Sequence, residues 1–161
     1  MWYSYYNNVR REMKLVIQRV SRASCKVDNE ITGMIDNGYM ILVGLGQMDN
    51  KDIVFKMAEK VSKLRIFEDE QGKTNKSIYD VNGKILSISQ FTLYADCSKG
   101  NRPSFTDALN GDKAKELYDY FNKCLEDKNL EVYTGKFGAD MKVELLNDGP
   151  FTIVLNSEEL W

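Results

Sequence analysis

Apolar and polar side chains alternate over many short stretches of this chain, and such alternation is typical of strands with one covered face. Turn residues separate the stretches, for example Asp28-Asn29-Glu30 and Asp36-Asn37-Gly38, which favour tight connections. The predicted strands are Lys14 to Val20, Cys25 to Val27, Ile31 to Ile35, Tyr39 to Leu45, Leu64 to Phe67, Lys84 to Asp96, Leu130 to Tyr133, Met141 to Leu146 and Phe151 to Leu155.

Two longer stretches carry apolar residues at helical spacing. The first begins at Asp49 or Asn50, either of which can cap a helix, and runs to about Leu64. The second runs from about Asp112 to Lys128. Strands joined mostly by hairpins, with two helices inserted, predict an α+β fold: a compact antiparallel β-barrel-like sheet domain.

The stretch KILSISQFTLYAD, Lys84 to Asp96, is predicted to be the central strand. Asn82-Gly83 supplies the turn before it, and apolar residues occupy both of its faces, as in a strand covered on both sides. Ser89, Gln90 and Thr92 interrupt this apolar run. Because buried polar side chains need hydrogen-bond partners, these three either line a pocket or satisfy neighbouring backbone groups.

The composition fits one globular domain, since 43% of the 161 residues are hydrophobic and 29% are charged. Met13 opens the first strand pattern, so we interpret residues 1–12 as an N-terminal extension and 13–161 as the domain. The extension is either upstream sequence outside the fold or an arm that packs Trp2 and Tyr3 on a partner. No apolar run is long enough for a membrane span, and a secretory signal is not recognisable.

Histidine is absent from the chain, which excludes Ser-His-Asp and Cys-His catalysis and any histidine-ligated metal. Cys25, Cys97 and Cys124 are irregularly spaced and match neither a disulfide framework nor a zinc pattern. We therefore expect a cytoplasmic protein with no metal and no cofactor. The net charge of −2 argues against broad non-specific binding to nucleic acid such as DNA, but it allows a local basic patch facing phosphates.

A second motif, Asn147 to Thr152 (NDGPFT), places a proline at the threshold of a strand, and by itself it predicts a turn. Together with Ser89 to Tyr94 (SQFTLY), it resembles the D-aminoacyl-tRNA deacylase family. One departure is Phe151, where the family often has valine. The resemblance extends over about Met13 to Leu155 and includes Ile17 to Val20, Lys99 to Pro103 and Gly135 to Gly138.

The resemblance implies a homodimeric, metal-independent hydrolase that cleaves the ester joining a D-amino acid to the terminal adenosine of tRNA. It implies that the Gly149-Pro150 peptide bond is cis and that this dipeptide enters the active site of the other subunit. Two rigid backbone carbonyls would there exclude an L side chain and admit many D side chains. Since glycine is achiral, activity on glycyl-tRNA is implied as well, including tRNA(Ala) mischarged with glycine.

The resemblance also suggests roles for single residues. Thr92 is a candidate nucleophile, but without histidine its hydroxyl is poorly activated, and the ribose 2′-OH of the substrate is the alternative that orients water. The backbone N–H of Phe91 or Thr92 would form an oxyanion site. Ser89 and Gln90 would hydrogen-bond the substrate or hold the strand edge. Arg19 is expected to hold the Gly-Pro dipeptide through a carbonyl, or else to form a surface ion pair.

Further residues are expected to contact the tRNA. Phe137 and Gly138 would form part of the adenine pocket with Met141 beside them, although Phe137 and Met141 also fit plain core positions. Lys99 and Arg102 would meet acceptor-stem phosphates or lie in a solvated loop. Two other functions stay open: a non-catalytic dimeric tRNA-binding module, and a Thr-nucleophile esterase acting on small D-amino-acid esters.

Overall fold

The structure, a computed structural model, describes residues 12–160, so the predicted extension lies outside the described residues except for Glu12. Within that range the chain forms strands and two long helices, joined by turns and loops. In chain order the elements are β1 (Lys14–Val27), β2 (Glu30–Ile35), β3 (Gly38–Gly44), α1 (Lys51–Lys63), β4 (Phe67–Glu68), β5 (Thr74–Lys76), β6 (Lys84–Ser89), a 3₁₀ turn (Phe91–Tyr94), α2 (Gly111–Glu126), β7 (Val132–Thr134), β8 (Lys142–Asn156) and a second 3₁₀ turn (Ser157–Glu159).

Strand β1 organises the sheet. It pairs antiparallel with β3 through its first half, with β2 through its end, and with β8 along its other edge. On the far side of β3, β6 pairs parallel with β3 and β7 parallel with β6. Because β2 also contacts β6 and β7, the sheet nearly closes into a barrel. The predicted α+β class with a barrel-like sheet and two helices is confirmed.

The two parallel pairs make the sheet mixed instead of wholly antiparallel. Helix α1 lies in the connection from β3 to β6, and α2 lies in the connection from β6 to β7. A helical crossover returns the chain to the same end of the sheet, as parallel pairing requires. Alternation along one strand carries no information about the direction of its neighbour, so the pattern of apolar residues could not show this.

Two clusters of buried side chains cover the two faces of β6. The larger cluster packs the sheet against α1 and α2 and includes Ile85, whereas the smaller one includes Leu86 and Ile88. Both faces of this strand are therefore covered, as its sequence predicted. Neither helix in the described part of the chain has the length and apolar character to cross a membrane.

Local signals place the ends of several elements. The side chain of Asn50 accepts a hydrogen bond from the backbone N–H of Ile53 at 3.0 Å and caps α1. Asp28 and Asn29 have φ values of 50° and 65°, which the tight hairpin between β1 and β2 requires. Asn82, with φ of 52°, turns the chain towards β6. Between α1 and β6 the chain forms the small β4–β5 hairpin, and of the predicted strand Leu64 to Phe67 only Phe67 belongs to β4.

The predicted central strand is wrong in its second half. Strand β6 ends at Ser89, and Phe91–Tyr94 form one 3₁₀ turn. These residues have the aromatic and β-branched character of a strand, but Tyr94 is buried against Gly44, where a Cβ would lie 2.9 Å from the tyrosine ring. Packing of Tyr94 into this seat decides the conformation, because tertiary contacts outweigh local strand preference.

The two predicted C-terminal strands form one strand, β8, which contains the NDGPFT motif. Its register with β1 shifts twice around Arg19: Ser21 has no partner between Val20 and Arg22, and residues 148–151 stand opposite Arg19 alone. These four residues therefore bulge out of the strand. We call residues 148–151 the β8 bulge; the peptide bond between Gly149 and Pro150 within it is cis.

Candidate active site

A pocket of about 440 Å³ opens where β6 ends, between the N-terminus of α2 and residues 137–141. The fold thereby joins two segments that are far apart in the sequence. Ser and Gln side chains contribute polar groups to the lining, and aromatic and thioether side chains contribute apolar surface. Among the residues predicted for the site, those that line the pocket are Ser89, Gln90, Phe91, Phe137, Gly138 and Met141.

The Phe91–Tyr94 turn follows directly after the polar end of β6. Thr92 is exposed in this turn, and its hydroxyl oxygen accepts a hydrogen bond from the side-chain amide of Gln90. Among the described residues, no acidic or basic side chain is hydrogen-bonded to Thr92. The first N–H groups of a 3₁₀ turn have no partner within it, so those of Phe91 and Thr92 can act as donors. The turn thus offers backbone donors and not an activated hydroxyl.

Phe137 and Met141 line the pocket and also pack on the core clusters. A core position is therefore compatible with contact to a ligand, and contact with adenine stays a prediction. The ring of Phe137 packs against Tyr118 of α2 with 5.9 Å between the ring centroids. Met141 lies over Gly135, where a Cβ would come within 2.4 Å of the methionine sulfur. Gly138 has φ of 78°, a left-handed conformation that favours glycine. Phe137 and Met141 contribute apolar surface to the pocket.

Arg19 lies beneath the β8 bulge and only 5% of it is exposed. Its Nε donates to the carbonyl of Asp148 at 2.9 Å and its Nη1 donates to the carbonyl of Ile66 at 2.7 Å. The guanidinium also lies over the ring of Phe151, with 4.7 Å between Cζ and the ring centroid. The carboxylate of Asp148 is 3.7 Å from Nε, yet the arginine is buried, unlike the surface ion pair considered as the alternative.

Asn147 closes the base of the β8 bulge, a role that the sequence analysis did not assign. Its Oδ1 accepts a hydrogen bond from the N–H of Phe151 at 2.7 Å. Its Nδ2 lies 3.3 Å from the carbonyl of Phe151, 3.1 Å from Oγ1 of Thr152 and 3.1 Å from Oε1 of Gln18. Asparagine readily bonds the backbone just ahead of it in turns, and that property was the available signal.

The β8 bulge and the pocket are separate features of one chain. Gly149 and Pro150 are exposed and do not line the pocket. Arg19, opposite the bulge, pairs with Tyr39 on β3, whereas the pocket residue Val43 lies four positions further along that strand. That offset is about 13 Å at the usual rise of a strand. In the described chain, Gly149 and Pro150 therefore contribute nothing to the lining of this pocket.

Lys99 and Arg102 lie in the loop between the Phe91–Tyr94 turn and α2, where both are exposed. Two backbone hydrogen bonds between Asp96 and Ser104, of 2.7 and 2.9 Å, close the base of this loop. Neither cation lines the pocket, so the structure leaves them on the surface beside it.

Asp49 is a buried carboxylate outside the pocket. It accepts hydrogen bonds from the N–H groups of Met13 at 2.8 Å and Gly46 at 2.6 Å. Burial raises the pKa of Asp49 to about 7, assisted by the nearby Glu12 and Glu158 and opposed by those two hydrogen bonds. This group therefore titrates near neutral pH, which nothing in the sequence pattern indicated.

Comparison with known proteins identifies the class to which this fold and pocket belong: the chain is a hydrolase of the deacylase type. A family model described as D-Tyr-tRNA(Tyr) deacylase matches residues 16–156. The chain belongs to the D-Tyr-tRNA(Tyr) deacylase family. The family resemblance stated from the two motifs is confirmed.

Individual relatives match nearly the whole chain. A protein of Lactobacillus gasseri named D-aminoacyl-tRNA deacylase is 58% identical over 144 residues, which cover 89% of this chain and 99% of that protein. A protein of Bacillus pumilus with the same name is 54% identical over 147 residues, 91% of this chain and 100% of that protein.

Two solved structures share the fold. One is described as c-Myc DNA Unwinding Element Binding Protein and has a TM-score of 0.82 at 41% identity, covering 88% of this chain and 97% of that one. Another, described as a probable eukaryotic D-amino acid tRNA deacylase, has a TM-score of 0.76 at 16% identity, covering 89% and 98%. At that identity the second comparison supports the fold alone.

Proposed function

We propose that this chain hydrolyses the ester joining a D-amino acid to the terminal adenosine of tRNA and releases the free D-amino acid and the tRNA. The observation that carries the proposal is the pocket, which is lined by residues 89–91 and 137–141 of a chain that belongs to the deacylase family. Relatives that match over nearly their whole length are named D-aminoacyl-tRNA deacylase. The proposed site of action is the cytoplasm, where charged tRNA is used.

The terminal adenosine is proposed to occupy the pocket with its base against Phe137 and Met141. The volume of about 440 Å³ lies within the range of small-molecule sites. Stacking of a base on an aromatic ring contributes roughly 1–3 kcal/mol. Ser89 and Gln90 stand at the polar side of the same pocket, where they can hydrogen-bond the ribose or the aminoacyl group.

Water is proposed as the nucleophile, oriented by the ribose 2′-OH of the substrate. The chain has no histidine, and among the described residues no acidic or basic side chain is hydrogen-bonded to the Thr92 hydroxyl to take its proton. As the water oxygen adds to the ester carbonyl carbon, the N–H groups of Phe91 and Thr92 stabilise the developing oxyanion. Collapse then breaks the bond to O3′, which leaves with a proton that the water supplied.

Selection against L-amino acids is proposed to depend on Gly149 and Pro150 of a second copy. Because Gly149 and Pro150 are exposed and do not line the pocket of their own chain, they are available to enter the pocket of another subunit. Arg19 and Asn147 hold the bulge from beneath and from its base, so the carbonyls are rigid. An L side chain would then clash with the backbone, whereas a D side chain would project away from it.

This filter reads handedness and not the identity of the side chain. It therefore acts on many D-amino acids, and it cannot reject glycine, which has no side chain to clash. Glycyl-tRNA, including tRNA(Ala) mischarged with glycine, is accordingly proposed as a second substrate.

The direct test is hydrolysis of D-Tyr-tRNA(Tyr) and L-Tyr-tRNA(Tyr) by purified protein. Fast release of D-tyrosine with the L-charged tRNA spared is the expected result. Equal rates on both substrates would refute the chirality filter, and binding of the charged tRNA without turnover would favour the non-catalytic alternative. Because one structural relative is named for binding a DNA element, a duplex DNA of the same length is a necessary binding control.

The small-ester alternative has its own test. An esterase with a threonine nucleophile would hydrolyse D-tyrosine methyl ester as well as the tRNA ester and would lose all activity in Thr92→Ala. We expect slow hydrolysis of the methyl ester, because it lacks both the adenine that contacts Phe137 and the 2′-OH that orients water.

A further inference from the structure

Tyr94 is the one residue of the Phe91–Tyr94 turn that is fully anchored in the protein. Only 2% of it is exposed. Its phenolic O–H donates to the backbone carbonyl of Glu12, and the carbonyl of Gly44 is a second acceptor at 3.3 Å. The ammonium of Lys14 lies over its ring, 5.3 Å from the centroid. Tyr94 thus ties the turn to the start of β1 and to the end of β3.

The bonds inside the turn are too weak to fix its position. Leu93 N–H donates to the carbonyl of Gln90 at 3.4 Å, and Ala95 N–H donates to that of Thr92 at 3.1 Å. The first of these bonds is long, and a single 3₁₀ turn held by two backbone hydrogen bonds has little rigidity of its own. Its place relative to the pocket must therefore come from contacts outside the turn.

Gly44 provides the surface on which the turn sits. A Cβ at this position would lie 2.9 Å from Cε2 of Tyr94 and 3.1 Å from Cδ1 of Leu93. The Tyr94 ring and the Leu93 side chain can approach the backbone of β3 this closely only because Gly44 has no side chain. Any larger residue at this position has to displace the Tyr94 ring and the Leu93 side chain, and through them it disturbs the turn that carries both.

The acceptor of the Tyr94 hydroxyl is itself held from two sides. The carboxylate of Glu12 accepts a hydrogen bond from Oγ of Ser157 at 3.0 Å, and the carbonyl of Met13 accepts from the N–H of Ser157 at 3.0 Å. The N–H of Met13 in turn donates to Asp49 at 2.8 Å. The segment that accepts the tyrosine hydrogen bond is therefore itself held in place by hydrogen bonds to Ser157 and Asp49.

We propose that Tyr94 is a positioning residue for the deacylation reaction: through its hydroxyl and its seat on Gly44 it sets the place of the N–H groups of Phe91 and Thr92. The inference rests on the proposed function, in which those N–H groups stabilise the oxyanion. A displacement of a few tenths of an ångström matters because donors act only at hydrogen-bond distance from the developing charge.

The test is Tyr94→Phe, which keeps the buried ring and removes only the hydroxyl. Tyr79→Phe is the matched control, because Tyr79 also donates to a backbone carbonyl, that of Lys128 at 2.6 Å, but lies outside the pocket and the turn. On D-Tyr-tRNA(Tyr) we expect kcat of Tyr94→Phe to fall by about tenfold or more with KM changed less than about twofold. Tyr79→Phe is expected to leave both constants unchanged.

Gly44→Ala is the second variant and moves the turn without removing the hydroxyl. It should lower kcat in the same way, and hydrogen exchange of residues 90–95 should become faster in Gly44→Ala and Tyr94→Phe but not in Tyr79→Phe. An unchanged kcat, or a rise in KM that accounts for the whole loss of kcat/KM, would overturn the inference.

Hydrogen exchange tests the positioning role of Tyr94 independently of the proposed deacylase function. If the wild-type protein does not hydrolyse D-Tyr-tRNA(Tyr), the proposed function fails, while faster exchange confined to residues 90–95 in Tyr94→Phe would still establish that Tyr94 positions the turn. Exchange identical to that of wild type would refute the positioning role whatever the activity. If Tyr94→Phe does not fold, the same measurements on Gly44→Ala decide.

Discussion

Replacing Asn147 by alanine tests whether a rigid β8 bulge is needed to distinguish D- from L-amino acids. The substitution removes the acceptor for the N–H of Phe151 at 2.7 Å and the amide donors that reach Phe151, Thr152 and Gln18. Two well-formed hydrogen bonds at a half-buried site contribute roughly 2 kcal/mol in total. For a domain of this size the expected fall in Tm is about 4–8 °C, so the protein remains folded at 25 °C.

The expected functional effect is a loss of selectivity. Without the Asn147 side chain, the bulge no longer holds the carbonyls of Gly149 and Pro150 in place. L-Tyr-tRNA(Tyr) should then be hydrolysed at least about tenfold faster than by wild type, which corresponds to a loss of roughly 1.4 kcal/mol of steric discrimination against the L side chain. Hydrolysis of D-Tyr-tRNA(Tyr) should change little, because residues 89–92 are untouched. A lower Tm with an unchanged ratio of D to L rates would refute this reasoning.

The same variant can show which subunit supplies the bulge. An excess of Phe137→Ala, with a damaged pocket and an intact bulge, is mixed with Asn147→Ala and the subunits are allowed to exchange. If the bulge acts on the pocket of the other subunit, L-Tyr-tRNA(Tyr) hydrolysis per Asn147→Ala chain should fall towards the wild-type level. The matched control is an excess of the double variant Phe137→Ala/Asn147→Ala, which must not restore selectivity. Equal effects of both mixtures would place the bulge at its own pocket.

Other residues give further predictions. Thr92→Ala should keep kcat on D-Tyr-tRNA(Tyr) within about tenfold of wild type in single-turnover assays; a folded but inactive variant would favour a covalent acyl-threonine route. Phe137→Leu should raise KM by about 5- to 150-fold, the equivalent of one stacked base, with kcat nearly unchanged. If Lys99 and Arg102 both contact phosphates, the double variant Lys99→Ala/Arg102→Ala should reduce the slope of log KM against log salt concentration by about one to two units. An unchanged slope would show that they do not contact phosphates. The pKa of Asp49 is raised to about 7, so between about pH 4 and 7 the folded state keeps a proton that the unfolded state has lost. The free energy of unfolding should therefore decrease as the pH rises from about 4 to 7, by up to roughly 4 kcal/mol. In Asp49→Asn this slope should flatten, as urea unfolding at several pH values would show; an equal slope in the variant would mean that another group titrates.

Local chemistry predicted the parts of the fold that depend on a few neighbouring residues. Asn50 caps α1, Asp28 and Asn29 make the hairpin turn, and both faces of β6 are covered, all as the sequence indicated. The 3₁₀ turn could not be predicted, because its residues prefer a strand and only the seat on Gly44 bends them out of it. The parallel pairs were missed for a related reason, since strand direction depends on the long helical connections.

For the candidate site, sequence motifs identified residues but not their arrangement. Ser89, Gln90 and Phe91 do meet Phe137 and Met141 in one pocket, whereas Gly149 and Pro150 lie elsewhere on the chain. The role of Asn147 was not predicted because its side chain bonds Phe151 on β8 and also Gln18 on β1, which is far away in the sequence.

The sequence by itself determined the chemistry that is possible: the lack of histidine removes the usual bases, and two short motifs place the chain in the deacylase family. Only the tertiary structure decided where that chemistry can happen. It buries Arg19 under the β8 bulge, packs Tyr94 against Gly44 and leaves Gly149 and Pro150 outside the lining of the pocket. The physical reason is that hydrogen bonding and close packing act at a few ångströms in space, and neighbours in space are set by the fold, not by distance along the chain.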